Sequence, residues 1–190
     1  MDVSLLNMTL MEFPRLLILF SALATMISAT RATEAPPPFT LTLVPSKSEA
    51  PPRGQFISMA NEKPGVFHVV VTNVSNELQP VFETWNSWGY QTVFFEITMP
   101  DGRRTRVSVA DQNFTRNFPS TFLVPHGEPQ VFPIKLDKEW EMNPRIELGS
   151  ETEITLKAVY EVEETPESKV NGVWAGRVES KAFKLTLRHW

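Results

Sequence analysis

The strongest constraint on this chain is a run near its C-terminal end, where Ile154, Leu156, Ala158, Tyr160 and Val162 occupy every second position. Successive side chains of a strand leave opposite faces of the sheet, so apolar residues at this period line one face and call for a covering layer. A helix would need them three and four apart. The run predicts a central strand. Shorter runs of the same period recur upstream and downstream: Phe39, Leu41 and Leu43; Phe67, Val69 and Val71; Val93, Phe95 and Ile97; Thr105, Val107 and Val109; Phe132, Ile134 and Leu136; Phe183, Leu185 and Leu187. Val81 to Trp85, Phe122 to Val124 and Val173 to Val178 add shorter pieces.

Turn residues punctuate these runs. Asp101-Gly102 between two alternating segments reads as a hairpin, with Arg104 and Arg106 on its solvated side. Pro133, inside an apolar run, marks an edge strand or a bulge. Asp137 to Asn143 is expected to form a single helical turn around Trp140. About eight or nine short strands with no sustained helical period predict an all-β fold, an antiparallel β-sandwich of immunoglobulin-like type spanning residues 39–190 as one domain. The chain has no cysteine, which excludes disulfides, thiolate-bound zinc, thiol catalysis and a blue-copper centre, so stability must come from packing. A net charge of −4, spread without a basic stripe, argues against a nucleic-acid partner, and none is expected.

The N-terminus reads differently. Leu16 to Ala29 is apolar and uncharged, follows Arg15, and closes on the small Ala29 with Thr30 and Ala32 just beyond. Its 14 residues fall short of the roughly 20 that span a bilayer as a helix. Residues 1–32 are therefore expected to be a helical signal peptide, cleaved after Ala29 or Ala32, leaving a secreted or periplasmic protein with no stable membrane span. Residues 33–38, ending in three prolines, read as an extended lead-in.

Sites of chemistry are sparse. His68, His126 and His189 have no partner at ligand spacing, so neither a metal nor any other cofactor is expected. Ser87 lacks the Gly-x-Ser-x-Gly frame, and Glu161, Glu163, Glu164 and Glu167 read as a solvated rim beyond a strand end. No enzyme is predicted. One stretch is unusual: Phe82, Trp85, Trp88 and Tyr90 lie within nine residues, more large rings than one face of a strand can take inward. Either Trp85 is the central sandwich tryptophan and the others plug an open end, or some rings stand outside with Trp174 and Phe114 or Phe118 as a binding surface. Trp85, Trp88, Tyr90 and Trp174 are the candidate ligand-binding residues.

Five segments stand out together: Val69-Val70-Val71-Thr72-Asn73-Val74-Ser75, Trp85-Asn86-Ser87-Trp88-Gly89-Tyr90, Asn117-Phe118-Pro119, Val159-Tyr160-Glu161-Val162 and Gly172-Val173-Trp174-Ala175-Gly176. In these the chain resembles a group of uncharacterised exported bacterial proteins with immunoglobulin-like folds. The resemblance covers most of the chain after about Phe67 and carries no activity. More loosely, Val71-Thr72-Asn73, the Asp101-Gly102 hairpin and Pro125-His126-Gly127-Glu128 are similar in layout to the intracellular proteinase inhibitor (BsuPI-type) domain, although the leader runs against an intracellular role. The expectation is an exported, non-enzymatic module that binds a protein or peptide through aromatic-rich loops or a sheet edge. The alternatives are a carbohydrate-binding module with Trp88, Tyr90 and Trp174 as platform, and a proteinase inhibitor.

Overall fold

The computed structural model describes residues 36–48, 54–60 and 64–189; the leader read at residues 1–32 lies outside them. The described chain is mostly β. In order it forms β1 (Phe39–Val44), β2 (Ser46–Ser48), β3 (Gly54–Met59), β4 (Val66–Asn73), β5 (Gln79–Phe82), β6 (Val93–Thr98), β7 (Arg104–Val109) and β8 (Thr121–Val124). β9 (Pro129–Lys135), β10 (Trp140–Asn143), β11 (Glu151–Val162), β12 (Gly176–Glu179) and β13 (Phe183–His189) follow. Two short helices, α1 (Ser87–Tyr90) and α2 (Pro166–Val170), sit in the connections after β5 and β11.

Thirteen strands among the described residues replace the eight or nine expected; β2 and β10 are short, and the six-residue β3 has no period-2 alternation because Ile57 and Ser58 are buried side by side. The clearest correction is β10, expected as a helical turn. Trp140 to Asn143 pairs instead with Val109 to Arg106 at the edge of β7, which turns Trp140 against Phe95 at 5.5 Å between centroids and leaves Glu141 exposed. A four-residue alternation is too short to tell from a helical turn until a free sheet edge pairs with it.

The strands make two layers in a sandwich-like arrangement. One is the three-stranded sheet β1-β4-β9; the other runs β10-β7-β6-β11-β13-β3-β2, with β12 also on β11, and β5-β8 form a separate pair. As its period predicts, β11 is central: residues 155–160 pair with β6, and the opposite edge pairs first with β13 and then with β12. Between these two partners the chain carries one residue too many, and Ser180 absorbs it. Its buried hydroxyl accepts the Ala158 N–H at 3.0 Å while its own N–H donates to the Ala158 carbonyl at 2.9 Å. The Asp101-Gly102 hairpin joins β6 to β7 with Gly102 at φ 86, a conformation that favours glycine.

The core lies between the layers. Phe39, Leu41 and Leu43 of β1, with Phe67, Val69 and Val71 of β4, face Phe95, Ile97, Leu156, Ala158 and Tyr160 of the larger sheet, all of them buried. Phe39 meets the Tyr160 ring edge-on at 5.8 Å, and Phe67 meets Phe95 at 5.4 Å. Each fully buried side chain of this size contributes about 1.5–3 kcal/mol by leaving water. The end of β4 is tied by Asn73, which is fully buried. Its amide donates to the carbonyls of Glu77 at 2.7 Å and Val124 at 2.8 Å, and its carbonyl oxygen accepts from the Ser75 N–H and hydroxyl.

Asn73→Ala would strand those carbonyls, and we expect it to lower the free energy of unfolding by about 2–4 kcal/mol in denaturant titrations, more than a surface substitution costs. A loss under about 0.5 kcal/mol would show that water replaces the amide without penalty.

Candidate functional site

The aromatic stretch leaves β5 and enters α1, where the local sequence determines the turn. Asn86 caps the helix: its side-chain oxygen accepts the Gly89 N–H at 3.0 Å, and its amide donates to the Ser120 carbonyl at 2.9 Å. Gly89 lies against the Glu83 carbonyl so closely that a methyl group there would collide with backbone. Ser87 and Asn117 then lock the facing loop in place. The Ser87 N–H donates to the Asn117 side-chain oxygen at 3.0 Å, and the Asn117 amide donates back to the Ser87 hydroxyl at 2.8 Å.

These bonds bring together rings from two loops. Trp85 stands outside, 43% exposed, edge-on to Phe118, itself 58% exposed, with centroids 4.8 Å apart. The Trp85 indole N–H donates to the Glu83 carboxylate. Tyr90 is half-buried and meets Phe114 edge-on at 5.4 Å. Burial first, then the negative charges of Glu139 and Asp111, raise its phenol pKa above the ordinary value. Trp88 turns inward, tilted against buried Phe82 at 6.2 Å and packed on the core. Trp174 belongs to a different place: it packs edge-on against Phe39 at 5.7 Å and lies across Gly176, whose φ of 156 and lack of a side chain admit the indole. No ring contact joins Trp174 to the other three candidate residues among the described residues. The central aromatic position is held by Tyr160 and Phe95, while Trp85 is at the surface.

Beside Trp88 a cleft of about 230 Å³ opens, lined by Ser87, Gln91, Phe94, Arg106 and Glu161. Arg106 lies over the Phe94 ring at 3.6 Å. A larger groove of about 730 Å³ lies elsewhere, lined by Met59, Trp140, Met142, Ile146, Leu148 and His189 among others, and no motif pointed to it. The three histidines are dispersed: His68 is on β4, His126 holds the Ser75 carbonyl at 2.6 Å, and His189 ends β13. Among the described residues no three His, Asp or Glu side chains converge on a metal position. No helix of the described residues is long and apolar enough to cross a membrane. Glu161 and Glu164 sit in ion pairs with Arg177 and Lys169.

The chain was compared with family models, curated proteins and solved structures. None matches. The candidate site therefore rests on its geometry: exposed rings held by a polar frame. Sequence reading named the rings but not Asn86 and Asn117, which hold them; an Asn three residues before Gly89 was the available signal for the first.

Gly89→Ala is expected to lower stability by about 1–3 kcal/mol, because the collision is with backbone that cannot rotate aside. Thermal unfolding measures this, and an unchanged midpoint would show that α1 tolerates a shift.

Proposed function

We propose that the protein is an exported binding module that takes a protein or peptide partner on the exposed rings of Trp85 and Phe118. The supporting observation is that pair: two large rings from separate loops, largely uncovered, held at fixed separation by the Asn86 and Asn117 bonds. Exposed aromatics bury much area on binding, and a ring held in place beforehand loses little freedom doing so. The edge-on geometry, 68° between planes, offers a corner suited to a side chain, whereas a sugar ring stacks best on a flat face. That favours a peptide over a neutral glycan at this site. Proteinase inhibition is a narrower form of the same reading, supported only by the loose likeness of layout.

We also propose that the sandwich is of immunoglobulin type. In that order the first, second and fifth strands share one sheet and the third, sixth and seventh the other. β1, β4 and β9 share the small sheet here, and β6, β11 and β13 are consecutive in the large one, with β7 beside β6 where the variable type adds a strand. β3, parallel to β13, β10 and the β5-β8 pair are additions to that plan.

Panning a random-peptide library against the protein tests the binding reading. Enriched peptides should lose about 30-fold in affinity on Trp85→Ala or Phe118→Ala with the melting temperature unchanged. Peptides indifferent to both substitutions, or no enrichment, would remove the proposal. Export is tested by sequencing the N-terminus of protein recovered outside the cytoplasm: a start at Thr30 or Thr33 is expected, and an intact Met1 would refute cleavage.

A further inference from the structure

The outer face of the large sheet divides in two. At one end Phe94 and Val159, paired across β6 and β11, face outward yet are buried. Arg106 and Arg177 lie over the Phe94 ring at 3.6 and 5.5 Å. Arg177 draws in the carboxylates of Glu96 at 2.6 Å, Glu179 at 2.8 Å and Glu161 at 3.1 Å, and Lys157 holds Glu179 at 2.8 Å. Towards the hairpin end the face changes character. The ladder register sets Arg104 opposite Thr98, Thr98 opposite Thr155, and Thr155 opposite Lys184, a row crossing four consecutive strands. Three inter-strand steps of about 4.8 Å separate the two cationic positions by about 14 Å. Arg104 and Lys184 are exposed, and neither has a carboxylate within ion-pair distance among the described residues. Glu96 is turned to Arg177, and Glu153, one row further on, makes no ion pair.

The row is also hollow. A depression of about 330 Å³ lined by Arg104, Arg106, Lys157 and Glu96 adjoins one of about 510 Å³ lined by Lys184 and Glu153, and Thr98 and Thr155 line both. On a chain of net charge −4, four cations against two carboxylates, of which Glu96 is held by Arg177, make this a net cationic trough with hydroxyls along its floor.

We propose that this trough binds a linear acidic polysaccharide, with carboxylate or sulfate groups on Arg104, Arg106 and Lys184 and sugar hydroxyls on Thr98 and Thr155. Charge complementarity identifies the partner as an anion, and its repeated cations suit a chain with repeated charge. The position identifies it as a glycan. Peptides usually join a sheet at an edge, where backbone groups are free. This row crosses the middle of the sheet, where the backbone is already paired in ladders, so an acidic peptide laid across it would gain none of the main-chain bonds that an edge offers. A polysaccharide offers hydroxyls that pair with side chains alone. The site is separate from the Trp85 corner, and the two proposals stand or fall independently.

Calorimetric titration with alginate, a sulfated dextran, neutral dextran and poly-glutamate tests it, using the protein, R104S/K184S, W85A and the control K181S. Binding of alginate or sulfated dextran that weakens about tenfold or more in R104S/K184S, weakens with added salt, and is unchanged in W85A and K181S is the expected result. The melting temperature of R104S/K184S should match the parent. Equal affinity for poly-glutamate would replace the glycan with an acidic peptide. Binding of neutral dextran, indifference to R104S/K184S, or no binding to either acidic polymer would overturn the proposal. If alginate alone or sulfated dextran alone binds, that identifies which anionic group the trough takes.

Discussion

The inward face of β11 is the constraint on which the rest of the sandwich depends. Its twelve residues contact three other strands through ladders and the small sheet through side chains, because Tyr160 reaches Phe39 on β1 and Phe132 on β9. Without disulfides the two layers are held by this interlocking of rings and aliphatic side chains. The layers also share backbone at one margin, where the Ala60 N–H donates to the Leu136 carbonyl at 3.0 Å as β3 ends and β9 ends beside it.

Period-2 patterning was enough to read the strands that build this core, because a side chain facing a second layer must be apolar at every second position. β1, β4, β6, β7, β11 and β13 were legible for that reason, and so was the Asp101-Gly102 hairpin. β2, β3 and β10 were not. β2 and β10 are three and four residues long, and β3 buries the adjacent Ile57 and Ser58 instead of alternating, so no period marks it. The Ser180 bulge was hidden for a related reason. Nothing local marks a serine whose hydroxyl substitutes for a ladder acceptor; that depends on the residue count of the strand opposite.

The aromatic stretch was legible in content and not in arrangement. Crowding four rings into nine residues requires that some point outward, and the chain resolves it by a single-turn helix that sends Trp88 in and leaves Trp85 out. Trp174 was grouped with them on residue type alone. The bare backbone of Gly176 leaves room for its indole to lie on the core beside Phe39, where a Cβ would collide with it. The residues that decide the outcome are asparagines, whose side chains replace backbone partners across the gap between two loops. Such bonds depend on distant segments meeting, which no periodicity encodes.

The polar face follows a different logic from the aromatic corner. A buried Phe94 on an outer face would be a cost if it met water, and the aliphatic and planar parts of Arg106 and Arg177 cover it while their charges stay wet. Covering Phe94 with Arg177 has an electrostatic consequence, since the guanidinium collects Glu96, Glu161 and Glu179 around itself. Hydrogen bonds from Lys157 first, then from Arg177, hold the Glu179 carboxyl below the ordinary carboxylate range, so it stays charged and engaged well into mild acid. Glu96 is held at that end, so among the described residues Glu153 is the one carboxylate lining the trough outside an ion pair, against Arg104 and Lys184. The packing of one apolar ring and the cationic character of the trough are thereby two results of the same arrangement of charge.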